Sequence, residues 1–365
     1  MADVQQCSLY TTEVSARTSW KVVSVSGGGH TGYGEYSDSG DDAAADDALR
    51  DLLGNLAGAD LDEAIDSVDG ESISAAPAAG PNAAQLVRRT VLGGLSTALW
   101  DLRCRVHGIS LAEAFGGRHT GTLPVYANLN RAVTTRTPSE FADQAQRSVS
   151  AGFRCVKLAP FDGLRASGRT QAGLAALYAV RERVGPDVGV MLDVHQVLRP
   201  GELRRIAAQL RGLRLRWIED AAPLDDLATL RWLKDSVGAP LAGGEFAATP
   251  AEVQPALGGG VVDYLMPDVK HAGGPARLAR MVELARRAGV RVSLHNPAGI
   301  VATAVSAQLA AALAPDGPLE IMVGEGAGER ARPGVRDGLI TVGSAPGSGV
   351  DWPAPRSAGR ARGRR

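Results

Sequence analysis

VGVMLDVH, residues 188–195, is apolar on both faces and then breaks off into Asp193 and His195. A run without alternation suits a strand of a parallel sheet that is covered on both sides. The same event recurs twice downstream, where LRLRWIED brings in Glu219 and APLAGGE ends in Glu245. The three acids are evenly spaced, 26 residues from 193 to 219 and 26 again to 245. That interval holds one strand, one helix and two short loops, the unit of a βα barrel. Acids at the same end of neighbouring strands face one mouth, and three convergent carboxylates suit a hard divalent cation.

With 365 residues the chain has room for two domains, or for one barrel and an attachment. A formal net charge of −1 gives no support to a nucleic-acid partner or an anionic membrane surface. Lysine is scarce: Lys21, Lys157, Lys234 and Lys270 are the whole set. Cys7, Cys104 and Cys155 lack zinc-type spacing, which points to a reduced, cytoplasmic protein. The opening MADVQQ has neither the basic start nor the apolar core of a signal peptide. The longest apolar stretch, Ala298 to Ala314, is interrupted by Thr303, Ser306 and Gln308, so it reads as a buried helix rather than a membrane span.

Around the founding stretch the texture falls into two parts. KVVSVSGGGHTGYGEYS, residues 21–37, reads as a β-hairpin turning at Gly27–Gly29. Residues 41–69 read as exposed helices, with Asp41, Asp42, Asp46 and Asp47 on a solvated N-terminal face. After a loop at 73–82, Leu86, Thr90, Val91, Leu95, Ala98, Leu99 and Leu102 mark one side of a long helix. Ser110 to Glu113 has the form of a capping box. Residues 1–120 thus read as an α+β module with its own hairpin and helices, and the Arg-rich tail 353–365 reads as disordered.

From 121 to 322 strands and helices alternate strictly. Strands are expected at 123–128, 154–159, 188–193, 215–219, 240–245, 261–268, 290–295 and 318–322. Eight strands alternating with helices predict an α/β protein with a (β/α)8-type barrel. On such a barrel the C-terminal strand ends share one mouth. They bring Asn128, Asn130, Lys157, Asp193, His195 and Glu219 together with Glu245, Asp268, His295 and Glu320.

Five motifs, MLDVH, WIED, GGE, PDVKHAGG and LHNPAG, arrive in an order that resembles the mandelate racemase branch of the enolase superfamily. The resemblance covers nearly the whole chain and implies that residues 1–120 are an N-terminal α+β capping domain, completed by about 323–352. Within that branch the histidine of Asp193–x–His195 is most similar to acid-sugar dehydratases of the galactonate dehydratase type. The resemblance implies Mg²⁺ held by Asp193, Glu219 and Glu245, stabilising the enediolate that forms when a proton next to a carboxylate is removed. It implies His295 as general base, oriented by Asp268, and His195 as the acid that expels a β-hydroxyl. Lys157 and Glu320 would act on the substrate carboxylate, while Asn128, Asn130 and His271 would contact substrate. Glu325 competes with Glu320 for its role.

Two departures narrow the reading. Racemases of this branch carry two lysines on the second strand, but here the triplet is Lys157–Leu158–Ala159, so one of two opposed bases is missing. Where the family often has Glu-Glu-Pro, this chain has Glu219–Asp220–Ala221. The expectation is therefore a Mg²⁺-dependent dehydratase of a polyhydroxy carboxylate, in a homo-oligomer, with no nucleic-acid or membrane partner. An epimerase or cycloisomerase using the same enolisation is the alternative, followed by a non-catalytic paralogue. A Schiff-base aldolase built on Lys157 is a remoter one.

Overall fold

The computed structural model describes residues 2–15, 18–77, 80–117, 121–314, 317–324 and 334–352. Its N-terminal part opens with an antiparallel sheet of β1 (Gln6–Ser15), β2 (Thr18–Gly27) and β3 (His30–Glu35), in that order. The hairpin expected from the sequence is β2–β3, turning through Gly28 and Gly29 at φ 58° and 79°. Strand β1 widens it on the far side of β2.

Helices α1 (Asp42–Gly54), α2 (Leu61–Gly70) and α3 (Ala83–His107) follow, and α3 lies against β3. Gly34 permits that close approach, because a Cβ there would stand 1.9 Å from the Gly94 carbonyl oxygen. Asp41 caps α1 by accepting from the Ala44 N–H. The acidic face of α1 is not wholly solvated: Asp46 takes the Lys21 ammonium at 2.9 Å and the Tyr36 hydroxyl at 2.9 Å. The capping box at Ser110–Glu113 opens the short α4 (Leu111–Ala114).

The second part is a curled parallel sheet. Its strands are β4 (Gly121–Asn128), β5 (Cys155–Leu158), β6 (Gly189–Asp193), β7 (Ile218–Glu219), β8 (Leu241–Gly243), β9 (Tyr264–Leu265), β10 (Arg291–Val292) and β11 (Leu319–Met322). Between them run α5 (Pro138–Ser150), α6 (Arg169–Val184), α7 (Pro200–Gly212), α8 (Leu227–Val237), α9 (Pro250–Gly259), α10 (Pro275–Arg287) and α11 (Ile300–Leu313). From β4 to β10 each strand pairs with its sequence neighbours, and β11 pairs with β4. The seam between β10 and β11 is joined by side chains, with Ser293 Oγ donating to the Pro318 carbonyl and Asn296 Nδ2 to that of Glu320. All eight strands lie where the sequence places them. The described residues after β11 form no eighth helix; β12 (Leu339–Val342) instead pairs antiparallel with the start of β4. The apolar stretch 298–314 is the buried α11, and no described helix is long and apolar enough to cross a membrane.

Alternation along the strands builds the site's floor. Tyr126, Met191, Trp217, Ala242, Tyr264 and Met266 form a buried cluster inside the barrel, with Trp217 set between the Tyr126 and Tyr264 rings at 5.3 and 5.0 Å. Two residues further along their strands stand Asn128, Asp193, Glu219 and Asp268. A period of two keeps them on the same inward side, one layer nearer the mouth. The outward set, including Val125, Val156, Val190 and Ile218, buries against the helices in the main core.

Candidate active site at the barrel mouth

Lys157 is the hub. Its ammonium is fully buried and lies 2.7 Å from Glu219 Oε1, 2.8 Å from Glu320 Oε1 and 3.4 Å from Asp193 Oδ2. Burial works against its charge, but Glu219 and Glu320 outweigh burial and raise its pKa well above the ordinary lysine value. Glu219 is held from below as well, since the Trp217 indole N–H donates to its Oε2 at 3.2 Å. Burial first, then the charge of Asp193, raises the Glu219 pKa well above the usual carboxylate range. Glu320 also accepts from Asn128 Nδ2 at 2.6 Å and from the Asn296 N–H at 2.9 Å, which ties the first, seventh and eighth strand ends together.

His295 stands across the mouth. Its Nδ1 is 3.0 Å from Asp268 Oδ2 and its Nε2 is 2.8 Å from Glu245 Oε2. Burial disfavours the imidazolium, yet Glu245 and Asp268 together hold the His295 pKa well above its ordinary value. His195 makes a second pair of contacts, Nε2 at 2.9 Å from Asp193 Oδ2 and Nδ1 at 2.8 Å from Asp162 Oδ2. Against the opposing effect of burial, those carboxylates push its pKa up to about 12.

His271 sits behind the site. It is buried, its Nδ1 is 3.0 Å from the Thr90 hydroxyl of α3, and burial pushes its pKa down to about 4. Helix α3 reaches this loop because Gly93 has no side chain: a Cβ there would lie 2.1 Å from the Lys270 carbonyl oxygen. Asn130 accepts from the Ala159 N–H at 2.7 Å and so braces the loop after β5. Glu325 lies outside the described residues.

The three acids at 193, 219 and 245 share the mouth but not one point. Asp193 and Glu219 both turn to Lys157, whereas Glu245 turns to His295. Among the described residues no three His, Cys, Asp or Glu side chains are gathered closely enough to enclose a metal ion. The donor chemistry nonetheless fits a hard cation. Asp193 Oδ2 is buried and accepts no well-formed hydrogen bond, its near neighbours being two cations. A buried carboxylate oxygen that already draws the His195 and Lys157 nitrogens to 2.9 and 3.4 Å is one that favours positive charge. Lys157, His195 and His295 bring positive charge against Asp193, Glu219, Glu320, Glu245 and Asp268.

Several further residues at the mouth have no assigned role in the sequence, where Asp220 stands out only as a departure from Glu-Glu-Pro. Asp162, in the loop after β5, meets His195. Asp220 is buried at φ 43°, and burial followed by repulsion from Glu245 and Asp193 raises its pKa to about 8. Its Oδ1 occupies the space a Cβ on Gly243 would need, at 2.6 Å. From the capping domain, Asp38 pairs with Arg131 at 3.0 Å and with Lys270 at 3.3 Å. Glu35 accepts from the N–H groups of Gly299 and Ala302 at the start of α11. Arg89 of α3 donates to the Phe246 and Ser74 carbonyls and to Glu252 of α9. These contacts join residues far apart in the chain, which no local pattern pairs.

Comparison with known proteins agrees with the fold and the family resemblance. Residues 140–356, more than half of the chain, match the family model described as enolase C-terminal domain-like. A D-gluconate dehydratase from Thermoproteus tenax is 31% identical over 225 residues, 61% of this chain and 45% of that protein, so the chain spans less than half of that relative's length. A D-galactarolactone cycloisomerase from Agrobacterium fabrum is 28% identical over 276 residues, 72% of this chain and 71% of that protein. Among solved structures, an enolase from Pantoea ananatis with bound D-gluconate and Mg superposes with a TM-score of 0.78 at 18% identity, covering 96% of this chain and 92% of that one.

Proposed function

This chain belongs to the enolase C-terminal domain-like family, and from that premise we propose that it is a Mg²⁺-dependent hydro-lyase acting on a polyhydroxy carboxylate. The observation that carries the proposal is the pair of histidines at one mouth, each with its own aspartate, on either side of a buried lysine. One histidine serves as base and the other as acid, which is what removing a proton and a hydroxyl from adjacent carbons requires.

Asp193, Glu219 and Glu245 would hold Mg²⁺, which when bound supplies fixed positive charge beside the substrate carboxylate. His295 takes the α-proton at Nε2 once Glu245 has turned away from that nitrogen. Asp268 keeps the Nδ1 proton in place and so fixes the tautomer. Loss of the α-proton puts a second negative charge on the carboxylate, and the Lys157 ammonium, already amid Glu219 and Glu320, offsets it. His195 then gives its Nε2 proton to the β-hydroxyl, water leaves, and the enol becomes a 2-keto-3-deoxy acid. Ala159 leaves no second lysine on β5 to return a proton from the opposite face.

A second reading has its own support. A cycloisomerase stands among the relatives with 72% of this chain matched, beside dehydratases at 73%, and the same enolisation would serve it. The test is a panel of sugar acids and their lactones, with Mg²⁺ or with chelator, scored for 2-keto acid and for α-deuterium exchange. Chelator-sensitive 2-keto acid formation supports the lyase. Exchange or lactone opening without water loss supports the isomerase.

A further inference from the structure

We infer that Asp162 is the positioning carboxylate of His195, fixing the imidazole so that Nε2 alone delivers the proton to the departing hydroxyl. The inference rests on the lyase reading above and assigns a residue to its second half.

The backbone explains why the histidine reaches so far. His195 and Gln196 both sit in the left-handed region, at φ 47° and 53°, a conformation that is unfavourable for a non-glycine residue. Two hydrogen bonds hold it: the His195 N–H donates to Asp193 Oδ1 at 3.1 Å, and the Gln196 N–H to the Asp220 carbonyl at 2.8 Å. The turn swings the ring away from its own strand, across to the loop that follows β5. There Asp162 Oδ2 meets Nδ1 at 2.8 Å.

Asp162 could instead be a rim acid serving Arg136. Distance decides between the two. The Arg136 guanidinium is 3.8 Å from Asp162 and donates to the Ala159 carbonyl, so it braces the loop, while His195 holds the short contact. The two ring nitrogens thus have different surroundings. Nδ1 faces a rear carboxylate on a loop, and Nε2 faces Asp193 and the mouth.

The step balances as follows. The Nε2–H bond breaks as its proton moves to the β-hydroxyl oxygen, and the C–O electron pair leaves with that oxygen as water. The imidazole stays neutral with its remaining proton on Nδ1, shared with Asp162. Solvent returns a proton to Nε2, and His295 releases the α-proton to solvent, before the next turnover.

The experiment uses the full chain labelled with ¹⁵N-histidine, with the His195 signal assigned from His195→Gln. A hydrogen-bonded, downfield Nδ1–H is expected in the native chain, absent in Asp162→Ala and regained in Asp162→Glu. With D-gluconate, D-mannonate and D-galactonate in D₂O, Asp162→Ala is expected to slow water loss about tenfold or more. Exchange of the α-proton is expected to stay within about twofold of the native rate, a split that a general loss of folding would not give. An unchanged Nδ1–H in Asp162→Ala, or equal loss of exchange and elimination, overturns the assignment. Absence of any turnover by the native chain counts against the lyase reading instead, and the Nδ1–H signal still decides whether Asp162 holds the ring.

Discussion

The two histidines of the mouth are built differently. His295 and Asp268 follow the ends of neighbouring strands, β10 and β9, and their side chains are 8% and 1% exposed. His195 and Asp162 sit on loops, with side chains 33% and 29% exposed and the histidine in a left-handed turn. The first pair is fixed by the barrel itself, so its geometry comes with the fold. The second depends on two loops agreeing, braced by Asn130 and Arg136. On the proposed mechanism, abstracting the carbon-bound proton would fall to the drier, strand-end pair, and expelling water to the more exposed pair, where water can leave.

The sharpest way to break this contrast is to remove the proposed base. His295→Asn is expected to lower α-proton exchange by about 10²- to 10⁴-fold. His195→Gln is expected to keep exchange and lose elimination, with both followed by proton NMR in D₂O. If the two variants fail in the same way, the division of labour is wrong.

Lys157 lies between the two histidines and can be removed without touching either. Lys157→Met leaves Asp193, Glu219 and Glu320 buried without their cation, and removing one partner of a buried ion pair costs about 3–5 kcal/mol. Denaturant unfolding is expected to show that loss. Added Mg²⁺ is expected to recover part of it, because a cation on Asp193 and Glu219 restores the missing charge. No recovery would count against those two acids as ligands.

The smallest effect sharpens the contrast on the loop side. Asn130→Ala deprives the Ala159 N–H of its acceptor, for a cost of about 1 kcal/mol. It loosens the loop carrying Asp162 and leaves β9 and β10 alone. Slower elimination with unchanged exchange is the expected result, and equal slowing of both would show that the two corners are not independent.

The same contrast governs what could be read in advance. Asp268 and His295 fall at expected strand ends, inside motifs with a definite order, so their partnership was legible. Asp162 lies in APFDGLR, a loop with no period and no motif, so nothing paired it with a residue 33 positions away. Asp38 and Glu35 were equally silent, because their partners belong to the other part of the chain.

By itself the sequence determined the strand–helix alternation, the eight strand positions and the mouth residues. Each follows from local periodicity and from the rule that alternate strand residues share a face. Only the tertiary structure decided how the charges pair. Lys157 draws Asp193, Glu219 and Glu320 together, while Glu245 is left to His295. Burial removes the water that would otherwise screen those groups, so each charge takes the nearest opposite one in space, and distance along the chain does not predict which that is.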